Sequence, residues 1–213
     1  MTQTAGTPLA SLIDAHAIVT LHDLSTAEWH RLSPPVAARD ASAEDFTKTL
    51  RVQHQANFEL WHLEDEARSP YAVHREIAMV KRTIDSVNQR RNDLMERCDA
   101  LLLEALHPHG LPAPVAVLHS ETPGMILDRL SILALKIFHT GAEAQRVDAS
   151  PGHIRKNKER LQMLEEQRAD LAECLDRLWE QIIYGQRRFK LYRQLKMYND
   201  PSLNPTMYRK PQA

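Results

Sequence analysis

Apolar residues recur along this chain at three- and four-residue intervals, the period of a helix with one buried face. Nowhere do they alternate in the two-residue rhythm of a strand, and β-branched residues never cluster in the alternating runs that a strand needs. The pattern divides into five segments. Residues 8 to 23 form a short amphipathic helix, followed by a loop through Ser33-Pro34-Pro35. A second helix is predicted from about Ala43, with Ser42 as its N-cap, to Arg68, where Ser69-Pro70 stops it. A third runs from about Tyr71 to Leu106, ended by His107-Pro108 and Gly110. Thr122-Pro123, a cap followed by proline at the first helical position, opens a fourth that reaches about His139 and ends near Gly141. The fifth and longest is predicted from Pro151 to Tyr198. It carries Ile154, Leu161, Leu164, Leu171, Leu175, Leu178, Ile182 and Phe189 in a nearly heptad series broken by Asn157, Arg168 and Gly185. The fold class is therefore all-α: an elongated antiparallel helical bundle of about five helices with a long C-terminal helix. Residues 1–42 make an N-terminal helix and loop, 43–199 the bundle core, and 200–213 an irregular tail.

Polar residues interrupt the apolar stripes where a purely structural bundle would not put them. The second helix carries Phe46, Leu50, Leu60 and Ala67 at core spacing, but Gln53, Asn57 and Glu64 fall on the same stripe. Trp61, Asp65 and Arg68 continue a neighbouring line. On the third helix Arg91 falls within the stripe of Ile77, Val80, Ile84, Val87, Leu94, Cys98 and Leu101, and Lys81, Asp85, Asn88 and Asn92 run alongside. The fourth adds Asp128, Arg129, Lys136 and His139 beside Ile126, Leu130, Leu133 and Ile137.

Charge at a core boundary must be paired or it is costly. If the three faces converge, Arg68, Lys81, Arg91 and Arg129 would hold a phosphate or carboxylate. Glu64, Asp65, Asp85 and Asp128 would instead hold a divalent metal, with Asp65, Asp85 and Asp128 the candidates for acid/base work. Asn57, Asn88 and Asn92 would orient a ligand, and Trp61, Glu64 and Lys136 complete the candidate binding set. The competing reading is an internal salt-bridge network that fixes register.

Other patterns carry less. Glu59-x-x-His62 and Glu104-x-x-His107 have the spacing of di-iron bundle ligands. However, the first pair points away from the core stripe and the second precedes a proline, so both read as exposed polar residues. Glu96-x-x-Asp99 and Glu173-x-x-Asp176 resemble half of the metal motif of all-α nucleotide pyrophosphohydrolases, without the matching Glu-x-x-Glu on the second helix. Arg82-x-x-Asp85 with Arg97 resembles a fragment of the helical chorismate mutase pattern, whose remainder is absent. No nucleophile–base pair or phosphate loop is visible, so no reaction is assigned.

Composition narrows the setting. With 27 Lys and Arg against 28 Asp and Glu, net charge points to no particular partner. Arg187, Arg188, Lys190, Arg193, Lys196, Arg209 and Lys210 make the C-terminal stretch basic, interleaved with Tyr184, Phe189, Tyr192, Tyr198 and Tyr208. A solvated or dimer-facing helix end accounts for it better than a nucleic-acid surface, since no recognition module accompanies it. Cys98 and Cys174 read as core thiols of a reduced compartment. Asp14, His16 and His22 break up any signal-peptide core, and no apolar run approaches the ~20 residues of a membrane span. The expected location is the cytoplasm, without membrane insertion.

Four segments in order carry a resemblance: Asn57 to Arg68 (NFELWHLEDEAR), Ile84 to Asp93 (IDSVNQRRND), Thr122 to Lys136 (TPGMILDRLSILALK) and Lys196 to Pro205 (KMYNDPSLNP). Together they resemble the bacterial domain-of-unknown-function family 4254, over almost the whole chain after residue 45. The family has no established activity to carry over. Its members tend to sit among cell-surface polysaccharide genes, so the resemblance implies a role near surface-glycan synthesis. The family motifs coincide with the polar faces found from spacing, which favours a ligand site over a structural network. The expected ligand is a phosphorylated or nucleotide-linked sugar, and a divalent metal is compatible with the acidic residues. The alternative is a non-catalytic scaffold that dimerises or binds a partner through the long C-terminal helix; a homo-oligomer, a dimer first of all, is expected either way.

Overall fold

The computed structural model describes residues 9–32, 45–194 and 202–205. Among the described residues there are five α-helices: α1 (Ala15–Arg31), α2 (Phe46–Ala67), α3 (His74–Leu106), α4 (Pro123–Ala144) and α5 (Pro151–Ile183). They pack on one another as an all-α bundle. Two short strands, β1 (Val117–Leu118) and β2 (Arg187–Arg188), pair in parallel with Val117 opposite Arg187.

The element types follow the periodicity, but several ends differ for local reasons. The first helix begins and ends later than residues 8 to 23. Leu9–Ser11 is a single 3-10 turn, and the Asp14 carboxylate caps the true start by accepting from Ala17 N at 3.0 Å. The helix then runs on to a buried Trp29. α2 starts at Phe46, capped by Asp45, whose carboxylate accepts from Thr47 N at 2.6 Å. The expected cap Ser42 and start Ala43 lie outside the described residues, as does the Ser33-Pro34-Pro35 loop. α4 passes through Gly141 to Ala144, since the backbone there stays helical.

The largest correction concerns α5, which stops at Ile183 rather than reaching Tyr198. Gly185 adopts a left-handed φ of 70°. Gln186 N then donates to Gln181 O at 2.8 Å and Gly185 N to Ile182 O at 3.0 Å, a Schellman ending that closes the last carbonyls of the helix. Without a Cβ, glycine takes this backbone conformation at little cost.

α4 runs through the middle of the molecule. Its Ile126, Leu127 and Leu130 share one core with Leu50 of α2, Cys98, Leu102 and Leu106 of α3, and Leu175, Leu178, Trp179 and Ile182 of α5. Ile13, Ala15 and Ile18 at the start of α1 close the same core. Ala56, Leu60, Val80, Ile84, Val87 and Leu94 make a second cluster between α2 and α3. The C-terminal half of the α5 seam is thus spent within the chain. Phe189 is buried too, just past β2. Of the two cysteines, Cys98 is buried, as expected, but Cys174 is exposed on α5. Burial pushes the Cys98 thiol well up from its ordinary value. No helix among the described residues is long and apolar enough to cross a membrane.

Candidate functional site

The polar faces of α2 and α3 do meet, along one flank of α4. They line a cleft of about 370 Å³ formed by Asn57, Leu60, Trp61, Glu64, Asp65 and Arg68 of α2, Asn88 and Arg91 of α3, and Ile132 and Leu135 of α4. The α2 residues recur at helical spacing, which is why one stripe of that helix supplies most of the wall. Trp61 is half-buried, its indole stacked on the His139 imidazole at 4.5 Å and an interplanar angle of 3°.

Beneath the cleft lies Asp128, 5 % exposed. Arg91 embraces it with two hydrogen bonds, Nε to Oδ1 at 2.7 Å and Nη2 to Oδ2. Oδ1 also accepts from Gln53 Nε2 at 2.5 Å and Asn57 Nδ2 at 3.0 Å. Bidentate geometry with added amide donors offsets the desolvation of a buried pair. The bond to Asp128 holds the Arg91 guanidinium above its ordinary pKa, against the opposing pull of burial.

The network continues away from solvent. Asn57 Nδ2 donates to Ser131 Oγ at 2.9 Å, and that hydroxyl lies 2.7 Å from His54 Nδ1. His54 Nε2 faces the His22 carbonyl at 3.0 Å and Thr26 Oγ1 at 2.9 Å. A carbonyl only accepts, so Nε2 carries the proton and Nδ1 accepts from Ser131. This serine–histidine pair is sealed: Ser131 and His54 are fully buried, so it ties α1, α2 and α4 together and meets no substrate.

Burial drives the His54 pKa down to about 3 and that of His22 well below its ordinary value, the latter helped by His54 and Arg168 nearby. Both rings are neutral in the folded protein, while the unfolded chain takes up their protons below about pH 6.5. Their contribution to stability is therefore present above pH 6.5 and lost as pH falls towards 3. Asp99 acts in the opposite sense: burial raises it to about 6, so its contribution is complete near pH 4 and lost as pH rises through 6. Among the described residues the lowered histidines, His62 and His139 included, outnumber the one raised aspartate, so stability should fall as pH drops from about 6 to 4. Urea midpoints taken from pH 7.5 to 4.5 should fall accordingly; a flat profile would contradict a neutral buried pair.

Seven of the sequence-predicted residues (Asn57, Trp61, Glu64, Asp65, Arg68, Asn88 and Arg91) share the cleft, with Asp128 at its base. The rest lie elsewhere. Lys81 and Asp85 form an exposed pair one turn apart on α3 and do not line the cleft. Asn92, 100° around the helix from Arg91, is buried instead. Arg129 pairs with Glu121 at 2.8 Å and, with Lys136, lines a separate groove of about 670 Å³ between α4 and α5, beside Asp170 and Cys174. The four cations Arg68, Lys81, Arg91 and Arg129 therefore do not form one anion cradle. Nor do Glu64, Asp65, Asp85 and Asp128 gather as a metal set among the described residues.

Four carboxylates of the lesser motifs have partners within the chain. Glu59 pairs with Arg90 across α2 and α3, and both it and His62 are half-buried where exposure was expected. Glu104 pairs with Arg97 at 2.8 Å, Glu96 accepts from Gln194 N at 2.8 Å, and Asp99 accepts from Gly124 N at 2.7 Å. Lys196, Tyr198, Tyr208, Arg209 and Lys210 lie outside the described residues. His54 and Ser131 were missed because an isolated histidine and serine on apolar faces leave no signal until the opposing helix is known.

A family model described as "Protein of unknown function (DUF4254)" matches residues 47–191. The chain belongs to that family. The DUF4254 match takes in every cleft residue together with Gln53, His54, Asp128 and Ser131, whereas α1, which supplies Thr26 and His22 to the network, precedes it. No curated protein and no solved structure matches the chain.

Proposed function

We propose that this DUF4254 protein uses the α2–α3–α4 cleft to bind a phosphorylated or nucleotide-linked sugar, in the cytoplasm and in the service of cell-surface polysaccharide synthesis. The observation that carries this reading is the convergence of Trp61, Asn57, Asn88, Glu64, Asp65 and Arg68 on one concave surface. An aromatic ring for the apolar face of a sugar, with amides and carboxylates for its hydroxyls, is the chemistry such a ligand requires. The polysaccharide setting rests on what the family resemblance implies.

Charge assigns the roles within the cleft. Arg91 is committed to Asp128 and acts as a positioning group. Arg68 is the cation available to an anion: it is exposed, and its partner Glu64, at 2.7 Å, is a half-buried neighbour one turn away. Such pairs are worth at most about 1 kcal/mol, so a phosphate displaces Glu64 readily. The scaffold reading has no comparable support, since Leu175, Leu178 and Ile182 are buried in the chain's own core.

Thermal unfolding against sugar phosphates and nucleoside diphosphate sugars tests the proposal. A ligand at a hundred times its dissociation constant should stabilise the fold by about 2.7 kcal/mol. Trp61→Ala and Arg68→Ala, both at solvent-accessible positions, should each abolish the shift while leaving a folded protein. Silence across the panel, or a shift indifferent to both substitutions, would overturn the assignment.

A further inference from the structure

Beside the cleft, α1, α2 and α4 bring His30, His62 and His139 together. One ring nitrogen from each lies within 4.8 Å of the others. Among the described residues this is the one place where three or more histidine, cysteine, aspartate or glutamate side chains converge in this way. The arrangement is independent of the cleft ligand, although Trp61 belongs to both.

The hydrogen bonding of these rings is incomplete in a particular way. His30 Nδ1 lies 2.7 Å from the Thr26 carbonyl, which accepts its proton and leaves the Nε2 lone pair unused. That Nε2 is buried and has no hydrogen-bond partner, and neither does His139 Nε2. A buried polar atom without a partner is costly, and two side by side call for an explanation. An imidazole whose far nitrogen donates to a backbone carbonyl is also the usual state of a metal-ligating histidine.

Aromatic neighbours hold the rings. Trp61 stacks on His139, Phe138 stacks on His30 at 4.1 Å, and Phe58 meets His30 and His62 edge-on at 4.8 and 4.5 Å. Burial, reinforced by mutual repulsion, lowers the His62 pKa and brings that of His139 to about 4, with Asp65 pulling the other way on each. Both rings therefore offer lone pairs at neutral pH without first losing a proton.

We propose that His30, His62 and His139 form a binding site for a first-row divalent transition metal of the zinc class. Three imidazole nitrogens suit such an ion, whereas magnesium and calcium demand oxygen. Three protein ligands also leave a fourth position open, the form of a site that acts on a bound molecule. Tetrahedral zinc holds its nitrogens about 3.3 Å apart, so binding draws the rings together by up to about 1.5 Å.

The test uses the full chain without a histidine tag, freed of metal, titrated at neutral pH with Co²⁺ and with Zn²⁺. The expected result is one ion per chain, a visible Co²⁺ absorption of four- or five-coordinate character, and a rise in the unfolding temperature with Zn²⁺. His62→Gln and His139→Gln should each weaken binding by about 100-fold or more, whereas His153→Gln, on a separate pair with Glu143, should not. Circular dichroism identifies which variants fold, and the wild-type titration stands without them. No Co²⁺ spectrum from the wild-type chain, or binding undiminished in a folded His62→Gln or His139→Gln protein, would overturn the proposal. Sugar phosphates are absent throughout, so failure here leaves the cleft reading intact, and failure of that panel leaves the metal site intact.

Discussion

Asp128→Ala should destabilise the protein by about 3 kcal/mol or more, the cost of leaving a largely buried guanidinium without its counter-ion. Asp128 accepts two bonds from Arg91 and one each from Gln53 and Asn57, and three helices meet through those contacts. Removing the carboxylate takes the acceptor from Arg91, Gln53 and Asn57 at once. Asn57 retains Ser131 as an acceptor, so the loss concentrates on Arg91 and Gln53. Replacing the pair together tests the argument. In Arg91→Met with Asp128→Leu the orphaned charge is gone, so the double variant should lie well above the sum of the single losses. Urea denaturation of the wild type, Arg91→Met, Asp128→Leu and the double variant provides the cycle. Additive losses would mean that the pair is not coupled. A cost below 1 kcal/mol for Asp128→Ala would mean that solvent reaches Arg91 freely.

Gly124→Ala should destabilise by a similar amount, about 3 kcal/mol, although alanine is the better helix former by roughly 1 kcal/mol. A Cβ at Gly124 would sit 2.6 Å from the Met95 carbonyl oxygen and 2.8 Å from the Asp99 carboxylate. A backbone carbonyl inside α3 cannot step aside, so the two helices must part. Separation also strains the bond from Gly124 N to Asp99, the carboxylate that with Thr122 fastens the start of α4. Overpacking thus outweighs propensity here, and the sign of the measured change decides between them. Gly141→Ala makes the control: it lies in the same helix with nothing within 4 Å of an added Cβ, and should be neutral or mildly stabilising.

How much of this was readable from residues alone varies with the kind of information each feature needs. The all-α class was readable because periodicity is local. The α2 wall of the cleft was readable for the same reason: Asn57, Trp61, Glu64, Asp65 and Arg68 recur along one helical face. Where α3 crosses that wall is not local information. Asn88 reaches the cleft and Lys81 and Asp85 do not, although the three run along one line of α3. Arg129 was misassigned because one residue's turn around α4 decides between the α3 side and the α5 side. The histidine cluster was illegible for a sharper reason. Ending the first helix near residue 23 left His30 in a loop, while His62 read as an exposed surface residue, so nothing suggested that either would meet His139. Gly185 was visible as a break in the heptads, but its left-handed backbone, which ends α5, only becomes evident with Phe189 docked in the core beyond it.

The two-residue ladder between β1 and β2 bears on the order of assembly. Val117 and Arg187 are about 70 residues apart, and joining ends so distant carries an entropic penalty that a few hydrogen bonds, among them His119 N to Arg188 O at 2.8 Å, are too weak to overcome. The hairpin of α4 against α5 must therefore already exist when these strands meet. The ladder should behave as a latch that closes late in folding, with the His119 amide proton exchanging faster than the core amides of α4 and α5.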